Sequence, residues 1–378
     1  MTPLPLHSWH ERAGATFAER AGHEVVAHYG DPGAEYAAAR SAAVRVDLSF
    51  REALRITGED RVSFLHGMCT NDIKGLPEWG VAYAAMVTVK GAMVSDLRVV
   101  RRDGDLLLDL EPGQFEKVRG FLDQYLISED AELHDGREDV GVIGLVGPRA
   151  YEVVAAAFGL SGPPEPVRRT FAPPGQQPTL DPKVAGFEPR TVTLDGATLA
   201  LMPSLLTRGE GVDLLVPRAL LERVWTLLGD RGAAMGLHDA GVEALEPLRV
   251  EDGVPRFGVD LLETTIPLEA ELLHAMSYNK GCYVGQEVIA RATFRGHMNR
   301  KLVGLSLGAE PAGAPGQELR VDGKKVGFVT SRVRSPSRGE TIGLGYVHRA
   351  HLAPGTVLQL GETDRTATVV ALPMPKTR

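Results

Sequence analysis

The stretch K-G-C-Y-V-G-Q-E, Lys280 to Glu287, continuing as V-I-A-R-A-T-F-R-G to Gly296, gathers residue types that do chemistry. It places one thiol, Cys282, two residues from Lys280, with Arg291, Arg295 and His297 close behind. Cations near a thiol favour the thiolate, which is the nucleophilic and metal-binding form. In an extended segment residues i and i+2 share a face, so the Lys280 ammonium is placed beside the sulfur. Gly281 and Gly285 let the backbone turn tightly or approach a ligand. The other reading of Cys282 is a small buried hydrophobe, with the cations on a solvated face. Cys69 is the only other cysteine, and two thiols build neither a disulfide framework nor a four-cysteine cluster site. The histidines show no metal-ligand spacing, so no metal site is expected.

The elements that must position these groups read as α+β, not as a doubly wound parallel sheet. Val44 to Leu48 and Ala53 to Ile56 are strand-like, after a turn at Asp31-Pro32-Gly33. Asp60 is a candidate N-cap for a helix burying Val62, Phe64 and Leu65. Strands follow at Tyr83 to Val89, Met93 to Val100 and Leu106 to Leu108, the last after a turn at Asp103-Gly104. Phe115, Val118, Leu122, Tyr125 and Leu126 fall at helical spacing. The Pro-rich stretch from Gly162 to Pro189 reads as an exposed excursion or linker. Pro217 opens a helix carrying Leu220, Leu221, Val224, Trp225 and Leu228, which is expected to stop at Gly229. From Lys301 onward, short alternating strands separated by Gly and Pro turns, Asp322-Gly323 among them, predict a small antiparallel barrel.

Composition narrows the function classes. With 378 residues, 43% apolar and 24% charged, the chain is ordinary globular protein of several domains. Its net charge of −8 gives no electrostatic case for wrapping nucleic acid. No apolar run approaches the length of a membrane span, and the reduced-thiol pattern fits the cytoplasm. The expectation is a cytoplasmic protein with neither nucleic-acid nor membrane partners.

The Lys280–Gly296 stretch resembles the signature of the YgfZ folate-binding proteins, relatives of the T-protein (GcvT, aminomethyltransferase) of the glycine cleavage system. Other fragments resemble the same superfamily in the same order: H-E-R-A-G-A-T-F from His10, R-S-A-A-V-R-V-D-L-S from Arg40 and F-L-H-G-M-C-T-N-D-I from Phe64. A-L-E-P-L-R-V-E-D-G-V-P-R-F-G-V-D-L from Ala244 and P-L-E-A-E-L from Pro267 continue it. The resemblance implies GcvT/YgfZ-like folate-binding α+β lobes and a C-terminal antiparallel β-barrel around a central hole. The implied division is a discontinuous first lobe over 1–50 and 138–285, a second over 51–137, and a barrel over 296–378.

The resemblance also implies a tetrahydrofolate site, in which a carboxylate faces the amidine-like edge of the pterin. The T-protein glutamate that does this falls on Asp213, at the end of T-R-G-E-G-V-D, with Glu210 the second candidate. The pattern's tyrosine falls on Leu206 and one arginine on Ala244, while a later arginine is kept as Arg249. The T-protein's catalytic G-G-x-x-D-D-L is here K-G-A-M-V-S-D-L, which keeps the second aspartate as Asp96 and replaces the first by Ser95. Asn71-Asp72 and Lys90-Gly91 are expected turns lining the central hole, with Asn71 a candidate folate contact, and Tyr83 and Met86 are strand residues read as core, packing on the pterin being the alternative. Asp96, Asp213 and Arg249 are expected to reach one ligand, a reduced folate. Cys282, Lys280 and Asp96 are the candidate catalytic groups.

Two functions compete. K-G-C-Y-V-G-Q-E favours a folate-binding accessory protein supporting iron–sulfur cluster assembly or repair, with iron–sulfur proteins or their machinery as partners. Asp96 favours an aminomethyltransferase that moves a one-carbon unit from a lipoyl-bound aminomethyl group to tetrahydrofolate. A scaffold without folate binding is the third reading. The accessory role is the leading expectation.

Overall fold

A computed structural model describes residues 1–161, 166–171, 179–187, 189–208, 211–294, 296–309 and 312–375. The chain forms two compact units, one of residues 1–87, 94–245 and 274–284, the other of residues 88–93, 246–273 and 285–378.

The first unit holds two main sheets. One has six strands in the order Arg190–Leu194, Ala197–Pro203, Gly211–Pro217, Val140–Val146, Ala43–Asp47 and Leu237–Asp239. All neighbours are antiparallel except the last pair. Its central strands are apolar on both faces, as burial on both sides requires. Helices Ala150–Phe158 and Leu221–Gly232 cover one face with Val153, Val154, Val224, Trp225 and Leu228. The second sheet has five strands in the order Val81–Val87, Met93–Arg102, Asp105–Leu110, Glu52–Thr57 and Glu132–Asp135. Helix Arg61–Met68 packs Phe64, Leu65 and Met68 into its core, and helix Phe115–Asp123 adds Phe115, Val118 and Leu122.

The second unit carries a closed six-stranded antiparallel barrel, in the order Arg300–Gly308, Glu340–His348, Lys324–Ser335, Glu318–Val321, Val357–Leu360 and Thr366–Val370. Closure leaves no strand edge unpaired. Val303, Leu305 and Leu307 fill the interior, whereas Leu302, Ile342, Leu344 and Tyr346 pack outside against Val250 and Met374. Asp322 (φ 50°) and Gly323 (φ 74°) turn the hairpin between two of these strands.

The structure corrects four local expectations. Asp31-Pro32-Gly33 opens helix Pro32–Ser41: Asp31 caps it by accepting from the Gly33 amide at 2.8 Å, and Pro32 takes the first turn. Asp60 does not cap its helix with its side chain, which instead accepts from the Asp130 amide at 3.0 Å. Gly229 does not end its helix, which runs Leu221–Gly232. A Cβ there would lie 2.6 Å from the Arg45 guanidinium, which packs over Trp225 at 4.4 Å and bonds Asp239, so the glycine makes room for a buried cation. The Pro-rich stretch is not loop throughout, because Pro166–Phe171 and Thr179–Phe187 pair as antiparallel strands. Residues 162–165, 172–178 and 188 of it lie outside the described residues. Among the described residues no helix is long and apolar enough to cross a membrane.

Candidate active site

Strand Met93–Arg102 brings Asp96 and Arg98 into the first unit, and strand Asp105–Leu110 brings Asp109. Asp213 comes from the six-stranded sheet, opposite Gly144 in register. Arg98, 2% exposed, donates from Nε to Asp109 at 2.6 Å and from Nη1 to Asp213 Oδ2 at 2.6 Å. Arg51 extends the network, donating to Asp109 at 2.6 Å and pairing with Glu111, which also accepts from Arg20 at 2.7 Å. Oppositely charged groups thus alternate from the partly exposed Arg20 and Glu111 into a dry interior, where Arg98, Asp109 and Asp213 are stabilised by their neighbours.

Two carboxyl groups in this region are incompletely partnered. Asp96, 7% exposed, accepts from the Tyr83 hydroxyl on Oδ2 at 2.7 Å, but its buried Oδ1 has no hydrogen-bond partner among the described residues. Burial, and then the charge of Glu111, push its pKa up to about 6 against the Tyr83 hydrogen bond and Arg51. Asp213, 1% exposed, has its Oδ2 on Arg98 and a buried Oδ1 without a partner among the described residues. Burial raises its pKa, with Arg98 opposing and Ser204 and Arg51 opposing less. A Cβ on Gly144 would lie 2.9 Å from the Leu48 and Val46 side chains and 3.3 Å from that free oxygen, so the glycine makes room first for these apolar neighbours and then for the carboxyl. Arg51's charge reaches both carboxyls. Tyr83 stacks on His274 with ring centroids 5.0 Å apart and planes 14° from parallel.

The other candidates have different places. Arg249 lies in the second unit with all five N–H groups engaged: Nη1 on Asp260 and the Val254 carbonyl, Nη2 on Glu246 and Ser331, Nε on Glu246. It has no donor left for a ligand, so its expected folate contact is corrected to a bond within its own unit. Asn71 is likewise engaged, donating from Nδ2 to the carbonyls of Tyr83 (2.8 Å) and His274 (3.1 Å) and accepting from the Asp72 amide. Lys280 does not turn its ammonium to Cys282. It donates to the carbonyls of His66, Cys69 and Asn71, three acceptors at a helix end against one weak sulfur acceptor. Cys282 is exposed, whereas Cys69 is buried and its thiol is pushed up to about 12 by burial. Arg291 pairs with Glu287 at 2.7 Å on the exposed face of helix Gln286–Phe294. Glu210 and Arg295 lie outside the described residues.

Two α+β sheets, a closed barrel and a pair of buried, half-partnered carboxyl groups define the class. The chain belongs to the glycine cleavage T-protein family: the GCVT N-terminal domain matches residues 6–163 and 183–280, and the Glycine cleavage T-protein C-terminal barrel domain matches residues 300–376. A relative from Saccharopolyspora erythraea is 30% identical, covering 98% of this chain and 96% of its own, and is named aminomethyltransferase. One of the same name from Pelodictyon phaeoclathratiforme is 28% identical, covering 100% of this chain and 99% of its own. The crystal structure of glycine cleavage system aminomethyltransferase T from Bartonella henselae shares the fold, with a TM-score of 0.81 at 23% identity over 100% of this chain and 99% of that one. These relatives carry the transferase name, which overturns the expected accessory role in iron–sulfur cluster assembly. The expectation rests on the resemblance of K-G-C-Y-V-G-Q-E, and the Lys280 of that stretch turns to backbone carbonyls, not to Cys282.

Proposed function

We propose that the chain is an aminomethyltransferase that takes a one-carbon unit from a lipoyl-bound aminomethyl group to tetrahydrofolate, with release of ammonia. The observation that carries this reading is the Asp96 carboxyl: dry, held on one oxygen by Tyr83, bare on the other, and poised near pH 6. A carboxyl in that state holds or moves a proton at an amine, and as carboxylate it stabilises a developing positive charge. The residues present fit a reduced folate, because the bare oxygen of Asp213 is an acceptor for a pterin N–H donor, while that of Asp96 is left for the reacting amine. Asp213 would hold the donor edge through Oδ1 while Arg98 fixes Oδ2. Tetrahydrofolate supplies the nitrogen nucleophile that takes up the carbon unit. The chain's part is to orient that nitrogen and the departing amine, and to keep water from the carbon.

The test is formation of methylene-tetrahydrofolate and ammonia from an aminomethyl-loaded lipoyl carrier. Asp96→Asn should lower kcat by about 10²–10⁴-fold, the usual contribution of a positioned acid or base, with little change in KM for the folate. Wild-type protein that binds neither tetrahydrofolate nor the carrier would end this reading.

A further inference from the structure

The K-G-C-Y-V-G-Q-E segment has no part in the chemistry just described, yet its lysine makes three hydrogen bonds to the backbone of the first unit. We propose that Lys280 is a positioning residue: by gathering three backbone carbonyls at the end of helix Arg61–Met68 it fixes Asn71, and through Asn71 the strand residue Tyr83 that holds Asp96. Only the catalytic consequence rests on the transferase reading. The positioning itself does not.

An ammonium has three protons, and Lys280 places them on the carbonyls of His66, Cys69 and Asn71, the last at 2.9 Å. Helix Arg61–Met68 ends there, where carbonyls lack helical partners and a cation is favoured. Asn71, so placed, ties two strands of chain together by donating to the carbonyls of both Tyr83 and His274. Around it, the Thr70 hydroxyl donates to the Ala275 carbonyl, the Ser277 amide donates to the Thr70 carbonyl at 2.9 Å, and the Val284 amide donates to the Gly67 carbonyl at 3.0 Å. Residues 274–284 are thereby stitched to residues 66–71. Tyr83 is held twice by this assembly, through its carbonyl on Asn71 and its ring on His274, and its hydroxyl meets Asp96.

The clasp should respond to pH. A neutral amine has two N–H groups and must release one of the three carbonyls. Burial lowers the Lys280 pKa to about 8, with Cys69 and Asp72 opposing and Lys74 adding to it. His66 also faces it, and the Tyr283 ring lies 4.9 Å from the ammonium.

Hydrogen exchange at the Ser277 and Val284 amides, measured against the remote Leu214 amide in the ligand-free chain, reads the clasp without substrate. In the wild type, protection at both amides should fall at least fivefold relative to Leu214 as pH rises through about 8. Lys280→Met should lose tenfold or more at pH 7. Lys280→Arg, which stays charged, should keep the protection and remove the pH step. In turnover, Lys280→Met should lower kcat tenfold or more while KM for tetrahydrofolate stays within a factor of two. Unchanged protection in Lys280→Met, or the same step in Lys280→Arg, overturns the proposal. A kcat loss without loss of protection overturns it too, by giving Lys280 a direct part in the reaction. If Lys280→Met does not fold, the wild-type pH series and Lys280→Arg still decide. If the chain proves not to be a transferase, the exchange data stand alone.

Discussion

Arg98 in the first unit and Arg249 in the second are both buried and each sits between two carboxylates, but their surroundings close differently. Around Arg249 every group is satisfied. All five guanidinium N–H groups have acceptors, and the two oxygens of Asp260 receive Arg249, the Arg256 amide, Thr330 and Ser331. Burial pushes Glu246 upward, and Arg249 and Arg256 overcome it, leaving that carboxyl at about 2. Around Arg98, Asp213 and Asp96 each keep one buried oxygen with no partner among the described residues. Leaving a buried acceptor unmade costs about 1–3 kcal/mol, so such gaps persist where something other than folding stability keeps them. The closed network fixes a barrel to its helix. The open one keeps two buried acceptors, which the proposed folate and departing amine would meet.

If that distinction is right, breaking the closed network should cost the most stability. Arg249→Met leaves Asp260 charged without an ion-pair partner and Glu246 with Arg256 alone, and should destabilise the protein by about 3–5 kcal/mol in urea unfolding. Reduced-folate affinity of the protein that remains folded should not change. A folded Arg249→Met protein that no longer binds folate would erase the contrast.

The open network should answer with the opposite sign. Asp96 titrates near 6 in the folded chain against an ordinary 3.8. Below pH 3.8 it is neutral whether folded or not, and nothing is lost. As pH rises from 3.8 to 6, the unfolded chain releases its proton first, so folding weakens, and above pH 6 the full penalty stands. Asp96→Asn removes the charge and keeps an acceptor for Tyr83. It should therefore raise stability at pH 7 by about 2–3 kcal/mol, at 1.36 kcal/mol per pKa unit, and leave it unchanged below pH 4. Equal stability of variant and wild type at both pH values would mean that Asp96 is not held in a dry site.

The sequence carried some of this and not the rest. The barrel is legible because its signals are local: alternation along each strand, and Asp322-Gly323 in the left-handed region at a hairpin. Asp96 and Asp213 are legible only through family motifs. The cations that serve them were missed, because Arg98 and Asp213 are 115 residues apart and meet only when two sheets come together. A signal was available: a lone arginine in V-S-D-L-R-V-V and a lone aspartate in L-L-L-D-L mark charges inside strands otherwise buried, and such charges are paired. Lys280 was misplaced because spacing along one strand ranks only near neighbours, whereas a long flexible side chain reaches the end of a helix more than 200 residues earlier, at His66.

The smallest of these effects is the most discriminating, because it concerns a single oxygen. Replacing Asp213 by Ala would leave Arg98 half-paired and confuse binding with folding. Asp213→Asn avoids this, since the amide oxygen still accepts from Arg98 and Asp109 still balances its charge. What changes is the second position of the side chain. An acceptor becomes an NH₂ donor, facing whatever donor a reduced folate presents. Tetrahydrofolate binding should weaken by about 1.5–3 kcal/mol, the range for hydrogen bonds to charged groups, read as a rise in Kd by titration calorimetry. An unchanged Kd would show that the donor edge of the folate is not read by Asp213. Its bare oxygen would then be a cost of bringing the Gly211–Pro217 strand against Gly144, and the open network would hold one functional carboxylate, Asp96, in place of two.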